Sequence, residues 1–270
     1  MSLSKSSPLI YTILVLMLVA LLGFSTLPLV TSVVQANQPT EGVTTSTDKQ
    51  LEAEAQGYQL VLNREPDNQA ALRGLLEVRL QQGNIAGTIY PLERLAQLNS
   101  DQIEYSILLA QAKEQIDDFS GAETSYRDIL ASHPGSMRAL QGMVNLLLNQ
   151  NQPEIAIEVV QNILTNAPSL NANQPDSVDI TSIELLLGEI YATQKRYSEA
   201  IAIYDQIIDT EKNDFRPILS KALIFQEQEK YDDALPLFDS ALALAPAKYQ
   251  AQIKQMASDT FTSIKPSSGD

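Results

Sequence analysis

Alanine and proline recur in this chain at a fixed interval. Ala122 is followed twelve residues later by Pro134, Ala156 by Pro168 and Ala234 by Pro246, and the first two pairs stand 34 residues apart. Ala200 lies 34 residues before Ala234, with Lys212 where its proline would be. A period of this length belongs to a two-helix unit repeated in series. Such a chain has no single central core, because each unit buries its apolar face only against its neighbours.

The residues around these markers repeat one design. Ala234, Leu235, Leu237, Phe238, Ala241 and Leu242 fall on one stripe of an amphipathic helix. Tyr126, Tyr204 and Phe238 each follow the marker alanine by four residues, where a large side chain can wedge between paired helices. Ala122, Ala156, Ala200 and Ala234 are small where two helices must approach closely. Phe119, Tyr197 and Tyr231 precede that alanine by three residues and mark the start of the second helix. Pro134, Pro168 and Pro246 are expected to end it.

On these residues the chain resembles the tetratricopeptide repeat family. The resemblance covers roughly residues 51–248 and is fullest in unit 181–214, through Leu187, Gly188, Tyr191, Ala200 and Tyr204. It implies an all-α solenoid over 51–264: units 69–102, 103–136, 137–170, 181–214 and 215–248, a half-unit at 51–66, and a C-terminal cap carrying Tyr249, Ile253, Met256, Phe261 and Ile264. Unit 69–102 is degenerate, with Thr88 in the alanine slot and Ser100 in the proline slot. The repeat is due to restart at about 171 but restarts near 181, so residues 169–180 hold an insertion of ten, expected to loop out.

The resemblance also implies a function, the binding of protein partners along a concave groove lined by first helices. Its groove positions map onto Arg73, Glu77, Gln111, Arg138, Gln141, Asn145, Glu189, Arg216, Leu219 and Leu223. The cationic clamp of the chaperone-binding subclass is not rebuilt, since Arg73, Gly74, Glu77, Arg138 and Gly142 stand at its stations.

The first forty residues are different. Lys5 is their only charge, and residues 9–27 are nearly all apolar, long enough at about 28 Å to cross a bilayer's hydrocarbon core. One reading is an uncleaved single-pass anchor over 1–36 and a polar tether over 37–50. Lys5 on one flank, with Glu41 and Asp48 on the other, places the N-terminus in the cytoplasm and the repeats across the membrane. The opposite orientation stays open. In a second reading, cleavage after the small residues Val34-Gln35-Ala36 releases a soluble periplasmic or lumenal adaptor. The anchored layout is similar to that of cyanobacterial and plastid tetratricopeptide proteins that assist photosystem and pigment-protein assembly at thylakoids. Residues 265–270 read as a disordered tail.

Composition narrows the chemistry. Residues 41–270 carry 33 acidic side chains against 17 basic ones, which repels nucleic acid. Without cysteine there is no disulfide, thiolate metal site or lipidated thiol. His133 is the only histidine and sits in an inter-repeat turn, and no phosphate-binding, dinucleotide or hydrolase motif occurs. Asp117-Asp118 and Asp232-Asp233 read as acids at helix N-termini. No enzyme, cofactor, metal or small-molecule substrate is expected.

Overall fold

The computed structural model describes residues 44–264, which form helices and turns throughout. They fall into two compact units, 44–152 and 153–264. The first contains α1 (Thr44–Leu62), α2 (Gln69–Gln81), a 3-10 turn (Ala86–Thr88), α3 (Ile89–Leu98), α4 (Ile103–Gln115), α5 (Phe119–Ser132) and α6 (Met137–Asn149). The second contains α7 (Pro153–Asn173), α8 (Ile180–Thr193), α9 (Tyr197–Thr210), α10 (Phe215–Glu227), α11 (Tyr231–Leu244) and α12 (Ala247–Ile264). Within each unit, helices adjacent in sequence pack together, as a serial stack requires.

Short polar side chains start the first helices. Asn68, Ser136 and Asp179 each accept a hydrogen bond from the backbone N–H three residues on, satisfying a donor that the helix leaves orphaned. Phe119, Tyr197 and Tyr231 open α5, α9 and α11, as the spacing predicts.

The turn between the two helices of every full unit uses one device at one position. Gly83, Asp117, Asn151, Lys195 and Glu229 stand at equivalent places, and all have φ between 58° and 66°. The next residue's N–H reaches back five residues to a helix carbonyl, as in Asp118 to Lys113, Gln152 to Leu147, Arg196 to Tyr191 and Lys230 to Phe225. Only the first of these turns uses glycine. Lys195→Gly and Glu229→Gly should therefore each raise stability by about 0.5–1 kcal/mol, since a side chain in the left-handed region is disfavoured. Urea midpoints measure this, and a lower midpoint in both variants would contradict it.

The wedge residues find small partners. Tyr126, Tyr204 and Phe238 are almost wholly buried. A Cβ on Gly142 would stand 2.5 Å from the Tyr126 ring, one on Gly188 2.4 Å from Tyr204, and one on Gly74 2.3 Å from Tyr58. Only glycine lets these helices approach so closely. Tyr58 and Tyr126 press on the first helix of the following unit, α2 and α6. Tyr204 lies on the first helix of its own unit, α8, and its hydroxyl bonds Ser220 of α10.

The ends of the array depart from the pattern. In α1, exposed Glu54 occupies the alanine slot, and Val61 is 39% exposed where Leu95, Ile129, Ile207 and Ala241 are buried. Among the described residues α1 packs chiefly on α2, and Arg79 of α2 ties the pair by donating to Glu52 at 2.8 Å. At the other end α12 inserts Ile253 and Met256 into the cluster of Leu219, Leu223, Phe238 and Ala241, as expected of a cap.

Three expectations need correction. The tether 37–50 does not run to residue 50, because α1 begins at Thr44 and carries its helix through the polar stretch 44–50. Pro168 does not end its helix; α7 continues through it to Asn173. A proline removes one backbone N–H, but packing restores the balance here, since Ala167 is fully buried. The insertion is consequently helix to 173 and an ordered turn thereafter. Asn171 donates to the Val178 carbonyl and accepts from its N–H, both at 2.9 Å, and Val178 is buried. Pro134 and Pro246 do stand just beyond α5 and α11. The apolar segment 9–27 and the tail 265–270 lie outside the described residues, among which no helix is long and apolar enough to cross a membrane.

Candidate functional site: the face of the first helices

The mapped groove residues lie on α2, α4, α6, α8 and α10, the first helices of the five units. Helical spacing puts Arg73 and Glu77 on one face of α2, and Arg138, Gln141 and Asn145 on one face of α6. Burial then divides the set by unit. In the N-terminal unit Arg73, Glu77, Gln111 and Arg138 are exposed, Asn145 is half-buried and Gln141 is buried. In the C-terminal unit Glu189, Leu219 and Leu223 are buried and Arg216 is half-buried.

Gln141, Glu189, Leu219 and Leu223 therefore sit in the packing between helices and present no open surface. The reason is legible in α8, whose sequence ITSIELLLGEIYAT is apolar on nearly every side, the mark of a helix covered all round.

Arg216 is engaged within the protein. Its Nε and Nη2 donate to Asp214 Oδ2 at 2.9 and 2.7 Å, and its Nη1 donates to Ser182 Oγ at 3.1 Å. Ser182 Oγ donates onward to Asp179 Oδ2 at 2.6 Å. The chain Asp179–Ser182–Arg216–Asp214 thus locks the N-termini of α8 and α10 together. Sequence reasoning missed Ser182. The signal was its position 34 residues before Arg216, the repeat length itself.

Burial raises the pKa of three carboxyls on first helices, Glu114, Glu184 and Glu189. Glu114 of α4 accepts the Tyr126 hydroxyl at 2.6 Å, and burial raises its pKa and that of the phenol. Glu189 is 6% exposed, its Oε2 has no hydrogen-bond partner, and burial pushes its pKa up to about 8. His133 caps α5 at its C-terminal end and is exposed, its Nδ1 3.0 Å from Ser132 Oγ. Asp118 accepts from the Gly121 N–H, and Asp232 and Asp233 lie in the first turn of α11, the helix-terminal role expected of both acid pairs.

The tetratricopeptide repeat family model matches residues 142–214 and 219–254. The fold is that of a tetratricopeptide repeat array. Yeast Tom70 has the same fold at a TM-score of 0.52 and 14% identity, over 78% of this chain and 43% of that one. Among curated relatives, cellulose synthase operon protein C of Pseudomonas fluorescens (strain SBW25) is 28% identical over 150 residues. The protein of that name from Komagataeibacter xylinus is 35% identical over 119 residues. The matches take in 55% and 43% of this chain but span only 12% and 9% of those proteins. Protein SLOW GREEN 1, chloroplastic, of Arabidopsis thaliana is 24% identical over 232 residues, which is 85% of this chain and 71% of that protein.

Within the tetratricopeptide register, wedge, alanine slot and inter-helix turn serve packing. Of the ten mapped first-helix residues, those that keep an exposed surface are Arg73, Glu77, Gln111 and Arg138, on α2, α4 and α6.

Proposed function

We propose that this chain is a protein-interaction scaffold that holds a partner on the first-helix face of its N-terminal unit. The observation that carries the reading is the exposure of Arg73, Glu77, Gln111 and Arg138, while the mapped residues of the C-terminal unit are buried or half-buried. An array of this kind binds by shape and polar matching along stacked helices. Four long polar side chains on three successive first helices suit an extended polar segment of a partner. The double change Arg73→Glu with Arg138→Glu should abolish recovery of that partner while leaving helicity and melting intact. His133→Ala should change neither folding nor binding. Unaltered recovery by the double variant would count against this face.

The scaffold is further proposed to be held at a membrane by residues 9–27, with the repeats on the side opposite the cytoplasm. The uncharged run supports the tether, and Lys5 with Glu41 and Asp48 supports the orientation. A role in assembling photosynthetic or pigment-protein complexes is part of this proposal, and the likeness to a chloroplastic protein bears on the compartment alone. The full-length protein should then stay in the pellet through alkaline carbonate. Release by carbonate, with loss of residues 1–36 in the intact mass, would instead favour the cleaved soluble adaptor that Val34-Gln35-Ala36 suggests.

A further inference from the structure

The only charged residues on α8 are Glu184 and Glu189. Glu189 sits where three helices meet: it follows Gly188, against which the Tyr204 ring of α9 packs, and the Tyr204 hydroxyl bonds Ser220 of α10. Its carboxyl is buried, and Oε2 meets no donor. In a fold that satisfies nearly all its buried polar groups, an orphaned carboxyl oxygen is a destabilising feature with a definite chemical form. Protonated, the group is a small neutral acid that the site tolerates. Ionised, it is an uncompensated charge in a low-dielectric site.

We propose that the junction of α8, α9 and α10 is a proton-operated joint, closed while the Glu189 carboxyl is protonated and opened when it ionises. The surroundings supply no counter-charge. From α9, the Tyr204 phenol faces the carboxyl and is itself held neutral by burial. The α9 acids Glu199 and Asp205 are engaged by Arg196 and Lys221, and Asp209 is exposed. Of the cations of α10, Lys221 is bonded to Asp205 and Arg216 to Asp214. From α7, Glu154 pairs with Arg196, Glu158 is exposed, and Gln161 donates to the Tyr191 hydroxyl. Glu184, on α8 itself, is half-buried and also shifted upward by burial, so it adds no positive field.

The direction of the linkage follows. The folded carboxyl has its pKa pushed up to about 8, from an ordinary 4.5. Its contribution is therefore complete below pH 4.5, is lost as pH rises toward 8, and changes no further above that. Within this window the closed joint weakens relative to the open one by up to ~10-fold per pH unit. Because stacked repeats couple only to neighbours, the loosening stays in the C-terminal unit.

Hydrogen exchange of the full chain, read by mass spectrometry at pH 6 and pH 9 and corrected for the intrinsic rate, tests the joint. In the wild type, protection over 180–227 should fall by roughly 10-fold or more, and protection over 69–115 should change far less. Glu189→Gln should hold the protection of 180–227 at its pH 6 value. If the glutamine variant does not fold, Glu189→Leu replaces it, since Leu223 is the array's own residue at the equivalent station one unit on. Equal loss in wild type and variant, or no loss in the wild type, would overturn the proposal.

Discussion

Replacing Tyr204 by alanine should destabilise the C-terminal unit by about 3–5 kcal/mol, the cost of emptying a large aromatic site that cannot collapse. The ring is almost wholly buried, lies on the backbone of Gly188 and bonds through its hydroxyl to Ser220. Removing it opens a void between three helices and leaves a buried serine without its partner. The socket should be equally intolerant of added bulk. Ala234 is fully buried at the tight approach of α11 to α10, so Ala234→Trp should cost well over ~1–3 kcal/mol. Ala247→Trp, on an exposed position at the start of α12, is the control and should leave the melt almost unchanged. Urea melts followed by circular dichroism measure all three, and a wild-type midpoint for Tyr204→Ala or Ala234→Trp would contradict the assigned register.

The register was legible because its causes are local. An alanine slot, an aromatic three residues before it and another four residues after it each have one physical role, and the second helices start accordingly at 119, 197 and 231. The left-handed turn residue was harder to see. Gly83 announces itself, but Asp117, Asn151, Lys195 and Glu229 adopt the same φ because the Schellman bond and the packing of both helices impose it. Pro168 misled for a related reason: a proline signals a stop, yet buried Ala167 and the clasp of Asn171 on Val178 are tertiary and keep α7 going.

The candidate site was half legible. Family positions place ten residues on the first helices, but whether a station is open depends on how closely successive first helices pack. Arg73, Glu77, Gln111 and Arg138 stay exposed although Leu72, Leu76, Ala110 and Ala139 directly before or after them are apolar and buried. Glu189 is flanked by Leu185, Leu186, Leu187 and Ile190, all buried, on a helix that its neighbours cover nearly all round. Arg216 could not be judged from its own helix alone. Its partners are the cap residue Asp214 and a serine one repeat away.

If the chain is a scaffold, its binding face is a directional property, and a loss-of-function variant measures it less directly than contact does. A photo-activated cross-linking side chain placed at Glu77 or Gln111 projects from the first helices. Placed at Thr124 or Asp128 it projects from the exposed side of α5, a second helix. All four positions are solvent-exposed, so none of the substitutions should disturb the fold. Irradiated in native membranes, the full-length protein should form the same cross-linked partner band from positions 77 and 111, and Arg73→Glu with Arg138→Glu should remove it. Positions 124 and 128 should give little or none. A band of equal strength from 124 and 128, or one from 77 and 111 that survives the double arginine change, would contradict recognition through the first-helix face of the N-terminal unit.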